Sequence, residues 1–168
     1  MLRIVGHHRA VYSHSPPGYV CPFCNYVVGG GDERVSPDHV VERTAETLTY
    51  VSPKWWPNNH GALLVIPTAH FENLYELPDE LGSPLLRATR RAALALKSAY
   101  RCDGVSTRQH NEPAGNQDVW HYHIHVFPRY AGDELYGNRG SWADPAEISR
   151  RADLVRDAYT ELDGSRSD

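Results

Sequence analysis

Three histidines, His121, His123 and His125, stand at every second position of the run HYHIHVFPRY, with Tyr122, Ile124 and Val126 between them. Side chains alternate faces along a β-strand. The spacing therefore predicts a strand with all three imidazoles on one face, roughly 6–7 Å apart from one to the next, and its apolar residues facing a core. Imidazole titrates near neutrality, attacks electrophiles and binds metals, so such a row suits either a metal ion or chemistry at phosphorus. A second pattern, Cys21-Pro22-Phe23-Cys24, has the spacing of half a tetrahedral zinc site. Taken alone, a CxxC also admits a redox pair or two buried thiols. The third cysteine, Cys102, reads as a small apolar residue at a helix end.

These residues need a scaffold. Residues 1–18 mix His7, His8 and His14 with Ser15-Pro16-Pro17-Gly18 and lack an apolar period, which predicts a loose N-terminal arm ahead of a single domain over 19–168. Strands are predicted over 46–51, which alternates as a half-buried strand does, over the continuous apolar run 62–66, and over 105–109. Leu85, Leu86, Ala92, Ala93, Leu96 and Tyr100 recur at helical spacing, which predicts a long helix with Asp79 or Ser83 as N-cap and Gly104 as C-terminal cap. Asp144-Pro145 begins a C-terminal helix with the stripe Ile148, Ala152, Val155, Tyr159. Strands and helices mix without regular βαβ alternation, which favours an α+β fold with a mainly antiparallel sheet.

Composition narrows the function classes. A chain of 168 residues fits one domain. Its net charge of −4 argues against a broad nucleic-acid surface, although small anions can bind where cations converge locally. No apolar run approaches the ~20 residues of a membrane span. Three cysteines without a disulfide framework, and no signal-like segment after Met1, point to a cytoplasmic protein.

With LVIPTAH (residues 64–70) and EPAGNQDVW (112–120) added to the CPFC element and the histidine run, the chain over about residues 20–131 resembles the histidine triad (HIT) family of nucleotide-binding proteins. The family motif, His-φ-His-φ-His-φ-φ with φ apolar, is matched by His121-Tyr122-His123-Ile124-His125-Val126-Phe127. The resemblance implies an α+β HIT-like fold, a homodimer, and a nucleotide or nucleotide-sugar as small-molecule partner. It implies hydrolysis or transfer of a nucleoside-monophosphate derivative, with His123 as nucleophile forming a nucleotidyl-histidine and His125 contacting phosphate and donating a proton. Asn111 and Gln117 would contact substrate, Asn111 being also readable as a loop asparagine bonded to its own backbone. A bacterial-type subset is similar in carrying a structural zinc, for which the matching ligands are Cys21, Cys24, His70 and His121.

The chain also departs from the family pattern. Asn59-His60-Gly61-Ala62 stands where many members have Gly-His, so that Ala62 occupies the position of an expected histidine and His60, two residues away, could substitute for it. Pro53-Lys54-Trp55-Trp56 replaces the usual acidic ribose contact. Lys54 could then contact phosphate, and Trp55 or Trp56 could stack a base or sit at a dimer contact. Asp118 stands where a small hydroxyl residue often meets phosphate, and could instead orient a histidine or Arg108 in the substrate site. Two other functions fit the same residues: a nucleotide-binding protein without turnover, and a redox enzyme in which His123 and His125 with His60 or His110 hold iron or copper.

Overall fold

A computed structural model describes residues 3–5, 9–11 and 13–165. In chain order its elements are β1 (Arg3–Val5), β2 (Arg9–Val11), α1 (Pro22–Val27), β3 (Val40–Arg43), β4 (Thr47–Val51), β5 (Lys54–Trp55), β6 (Leu63–Pro67), α2 (Gly82–Tyr100), β7 (Gly104–Gln109), β8 (Ile124–Arg129), β9 (Ser141–Trp142) and α3 (Pro145–Gly164). Five strands form one antiparallel sheet in the order β3-β4-β6-β8-β7. With the long α2 and the C-terminal α3, this is an α+β fold.

One face of the sheet is closed by helices. Leu85, Ala88, Ala92, Ala95 and Leu96 of α2 and Ile148, Ala152, Val155 and Tyr159 of α3 pack with Val51, Leu63, Val65 and Val126 in one buried cluster. Three alanines on the buried stripe of α2 let the helix approach the sheet closely. The opposite face is covered near β4 and β6 by α1 and its following loop, where Phe23, Tyr26 and Val35 meet Leu48, Tyr50, Leu64 and Ile66. Because both faces are covered, β4 is buried at every position rather than on alternate ones.

Helix ends differ from expectation. A 3₁₀ turn, Asp79–Leu81, leads into α2, whose N-cap is Leu81, so neither Asp79 nor Ser83 caps it. At the other end Arg101 takes the left-handed conformation, φ 49°, while Lys97 Nζ donates to the carbonyls of Cys102 and Asp103, leaving Gly104 free to open β7. Asp144 caps α3 as the sequence predicts, accepting from the N–H groups of Ala146 and Glu147.

The predicted loose arm lies partly outside the described residues, His7 and His8 among them. Within it β1 pairs with β2 as a hairpin, and Ser13 Oγ and the His14 N–H donate to the Glu72 carboxylate. The histidine run is a strand only from Ile124. Before it the Tyr122 N–H donates to the Phe71 carbonyl and the His121 N–H to the Val119 carbonyl, which bends the chain away from β6.

Candidate active site and metal centre

The bend turns His121 toward α1. Its Nδ1 lies 3.4 Å from Cys21 Sγ and 3.7 Å from Cys24 Sγ, and His70 Nδ1 lies 3.3 Å from Cys24 Sγ. All four ligand atoms fall within 4.8 Å of one another. A tetrahedron with metal–sulfur bonds of ~2.3 Å and metal–nitrogen bonds of ~2.0 Å has sulfur–nitrogen edges of roughly 3.5 Å, so the spacing fits a four-coordinate metal. The tautomer fits as well. His121 Nε2 is 3.0 Å from the Pro67 carbonyl, which can only accept, so Nε2 carries the proton and the Nδ1 lone pair faces the sulfurs. Burial pushes His121 down to about 4, which keeps its ring neutral.

His123 follows on the site face of the sheet. It is buried, its ring meets Phe23 edge-on at 5.3 Å, and its Nδ1 donates to the His121 carbonyl at 2.7 Å. The lone pair is thereby fixed on Nε2. The His125 ring is 4.9 Å from that of His123 and stacks on Phe127, interplanar angle 7°. Burial holds both imidazoles below the ordinary histidine range, His125 well below it. Two neutral imidazoles side by side suit a nucleophile and a hydrogen-bond donor better than a strong acid.

Two cavities meet at these rings. The smaller, about 200 Å³, is largely aromatic and is bounded by Phe23, Tyr26, Tyr50, Leu64, His123 and Trp142. The larger, about 510 Å³, lies beyond His125 and includes Lys54, Arg108, Arg139, Asn138 and Asp118. Ser52, Lys54, Asp118 and His125 line both.

A model of the HIT domain matches residues 33–132. The chain belongs to the HIT domain family. This HIT protein is 30% identical over 134 residues to Protein hit of Bacillus subtilis, covering 80% of this chain and 86% of that one. It is 29% identical over 110 residues to adenosine 5'-monophosphoramidase HNT1 of Saccharomyces cerevisiae, covering 65% and 66%. Among solved structures, a zinc-bound histidine triad family protein from Mycobacterium smegmatis matches with a TM-score of 0.71 and 29% identity over 86% of this chain and 96% of that one.

Not every residue expected at the substrate site of this HIT protein reaches it. Lys54 and Arg108 do. Trp55 turns inward: it is buried and its Nε1–H donates to the Ser52 carbonyl at 2.6 Å, so of this adjacent pair it is Trp56 that lines the larger cavity. His60 stacks on Trp55, ring centroids 5.3 Å apart, and lines neither cavity. Asn111 and Gln117 are scaffold. Asn111 Oδ1 accepts from the Leu74 N–H, while Gln117 donates to the carbonyls of Glu72 and Val119 and accepts from the Glu112 N–H. Their side chains hold the loop to the segment after β6.

Residues that motif reading passed over supply much of the walls. Phe23 and Tyr26 sit three apart on α1, and only the CxxC between and beside them drew notice to that segment. Tyr136, Asn138, Arg139 and Trp142 come from an aperiodic, glycine-punctuated stretch. Its aromatic and arginine content was the one available signal.

Proposed function

We propose that this HIT protein is a nucleotidyl hydrolase or transferase acting on a nucleoside-monophosphate derivative through His123. The observation that carries the reading is the His123 Nδ1 bond to the His121 carbonyl, which leaves the Nε2 lone pair for attack in the aromatic cavity, beside the His125 ring that lines both cavities. The nucleoside occupies the aromatic cavity. Nε2 forms a bond to the α-phosphorus as the bond to the leaving group breaks, its electron pair departing with that group. Water or a second acceptor then displaces His123 and releases the nucleotide. His125 hydrogen-bonds the phosphate oxygens, and Lys54 and Arg108 neutralise them. The relative named as an adenosine 5'-monophosphoramidase supports this reaction class.

The Cys21, Cys24, His70 and His121 cluster would hold a structural zinc, in keeping with the zinc-bound relative. Such a closed site supplies no reactive position. It would tie α1 to the bend that presents His123. A homodimer in the cytoplasm completes the proposal, with the outer edge of β7 available for pairing.

Intact-mass measurement during incubation with nucleoside phosphoramidates, dinucleotides and nucleotide-sugars tests the reaction. Wild type should gain one nucleotidyl unit. His123→Ala should gain none and lose turnover by at least about 10³-fold, with nucleotide binding retained within about tenfold. Unchanged turnover in that variant rejects the nucleophile. One zinc per chain fits the structural site, whereas a second, redox-active metal that needs His123 would favour a metalloenzyme.

A further inference from the structure

The larger cavity is the more cationic of the two. Its wall of Leu135, Tyr136, Asn138, Arg139 and Gly140 comes from a segment beyond residues 33–132, the span that matches the family. This segment is built in place. Asp133 bonds Arg129 Nε at 2.7 Å and Nη2 at 2.8 Å, and accepts from Asn59 Nδ2 and the N–H groups of Tyr130 and Leu135. Farther along, Trp56 Nε1–H donates to the Asn138 carbonyl, and β9 pairs with β5.

The charges in this chamber run against those of the chain. Lys54, Arg108 and Arg139 line it against one carboxylate, Asp118, in a protein of net charge −4. Arg108 is the most telling. Its guanidinium lies over Phe127 at 5.0 Å and Tyr136 at 4.2 Å, while its Nε and Nη2 are buried with no hydrogen-bond partner. Buried donors without acceptors are costly, and a shift of the guanidinium toward an anion in the chamber would relieve that cost. The chamber and the aromatic cavity share His125, Ser52, Lys54 and Asp118 as a common boundary, so a nucleotide whose nucleoside fills the aromatic cavity would extend its leaving group into the chamber.

We propose that the chamber is a specificity subsite for a phosphate-bearing leaving group, read by Arg108, Arg139 and Lys54, so that nucleotidyl–phosphate anhydrides are selected over substrates with an uncharged leaving group. This rests on the nucleotidyl-transfer reading given above. In the step, the phosphorus–oxygen bond breaks and the pair stays on the departing phosphate oxygen. The cations stabilise that oxygen, and no proton transfer is required.

The test compares an adenosine tetraphosphate dinucleotide with adenosine 5'-phosphoramidate on wild type, Arg108→Gln and Arg139→Gln. In wild type kcat/KM should favour the anhydride. In each variant the ratio of the two kcat/KM values should fall by about 10–100-fold, the loss expected for a charge-assisted contact to one leaving group only. A ratio unchanged in both variants overturns the proposal. A parallel calorimetric titration separates it from the reaction itself. Should wild type turn over neither compound, the transfer reading fails, and the subsite then stands only if adenosine triphosphate binds about tenfold or more tighter than the monophosphate and Arg108→Gln removes that difference; equal binding overturns it. Circular dichroism of both variants excludes misfolding, and Arg108→Lys should restore part of the ratio.

Discussion

The Cys/His cluster adjoins His123 through His121, the cationic chamber adjoins His125, and the two regions are built in opposite ways. In the cluster, two cysteines from one helical turn meet His70 and His121, and four side chains point their ligand atoms at each other. Nothing remains for a substrate to satisfy. In the chamber, three cations line an open volume and Arg108 keeps two buried donors without partners. Closed donor sets stabilise a fold, whereas open ones bind something else. His123 takes its tautomer from the first region and borders on the second through His125.

The comparison breaks first if the cluster does not carry the local fold. Cys24→Ser removes a soft ligand and should abolish stoichiometric zinc. It should also cost about 3 kcal/mol or more, which for a chain of this length lowers Tm by about 10 °C. Metal analysis and thermal unfolding report the two losses together. Full zinc occupancy with an unchanged Tm would detach the cluster from the fold.

The chamber should fail differently, through its wall. Asp133 is buried and is held well below the usual carboxylate range, chiefly by Arg129. Asp133→Asn leaves the Arg129 pair unmatched and should cost about 3 kcal/mol at pH 7. Because the folded-state pKa is lowered, this contribution is fully present above about pH 4 and is lost as pH falls toward the folded value. Urea unfolding of variant and wild type should therefore show a large gap at pH 7 that narrows at pH 3. A gap equal at both values would mean that the carboxylate charge is not what holds the segment. The variant should also raise KM for the anhydride substrate more than it lowers kcat, since it loosens a leaving-group wall and leaves His123 in place.

The two regions were also unequally legible. Ligands of the cluster sit in short motifs, CPFC, LVIPTAH and the histidine run: the CxxC spacing shows half a zinc site, and the family resemblance adds His70 and His121. The strands over 46–51, 62–66 and 105–109, both long helices and the Asp144 cap are local patterns too, and the sequence conveyed them, whereas β3 and the late start of β8 at Ile124 depend on tertiary pairing and were not legible. The chamber depends on partners far apart in the chain. Gln117 reaches the Glu72 carbonyl, Asn111 the Leu74 N–H and Asn59 the Asp133 carboxylate, and no periodicity encodes such pairings. Asn111 and Gln117 therefore read as substrate contacts although they hold the loop. Trp55 and Trp56, adjacent in sequence, divide between core and cavity because the β5–β9 pairing sends one inward.

The smallest expected effect tests where the chamber ends. His60 follows the turn that carries Lys54 and Trp56, and two residues on from it Ala62 stands in place of an expected histidine. In the structure the exposed His60 ring packs on the outer side of Trp55, whose indole is committed to the Ser52 carbonyl, and the ring reaches neither cavity. His60→Ala then removes one exposed stacking contact, worth about 0.5 kcal/mol, and should move Tm by only about 1–2 °C. Kinetics on either substrate should stay within about twofold of wild type. Steady-state rates with both substrates check this directly: a loss of tenfold or more on one of them would place His60 in the reacting site and shift the chamber boundary toward the turn.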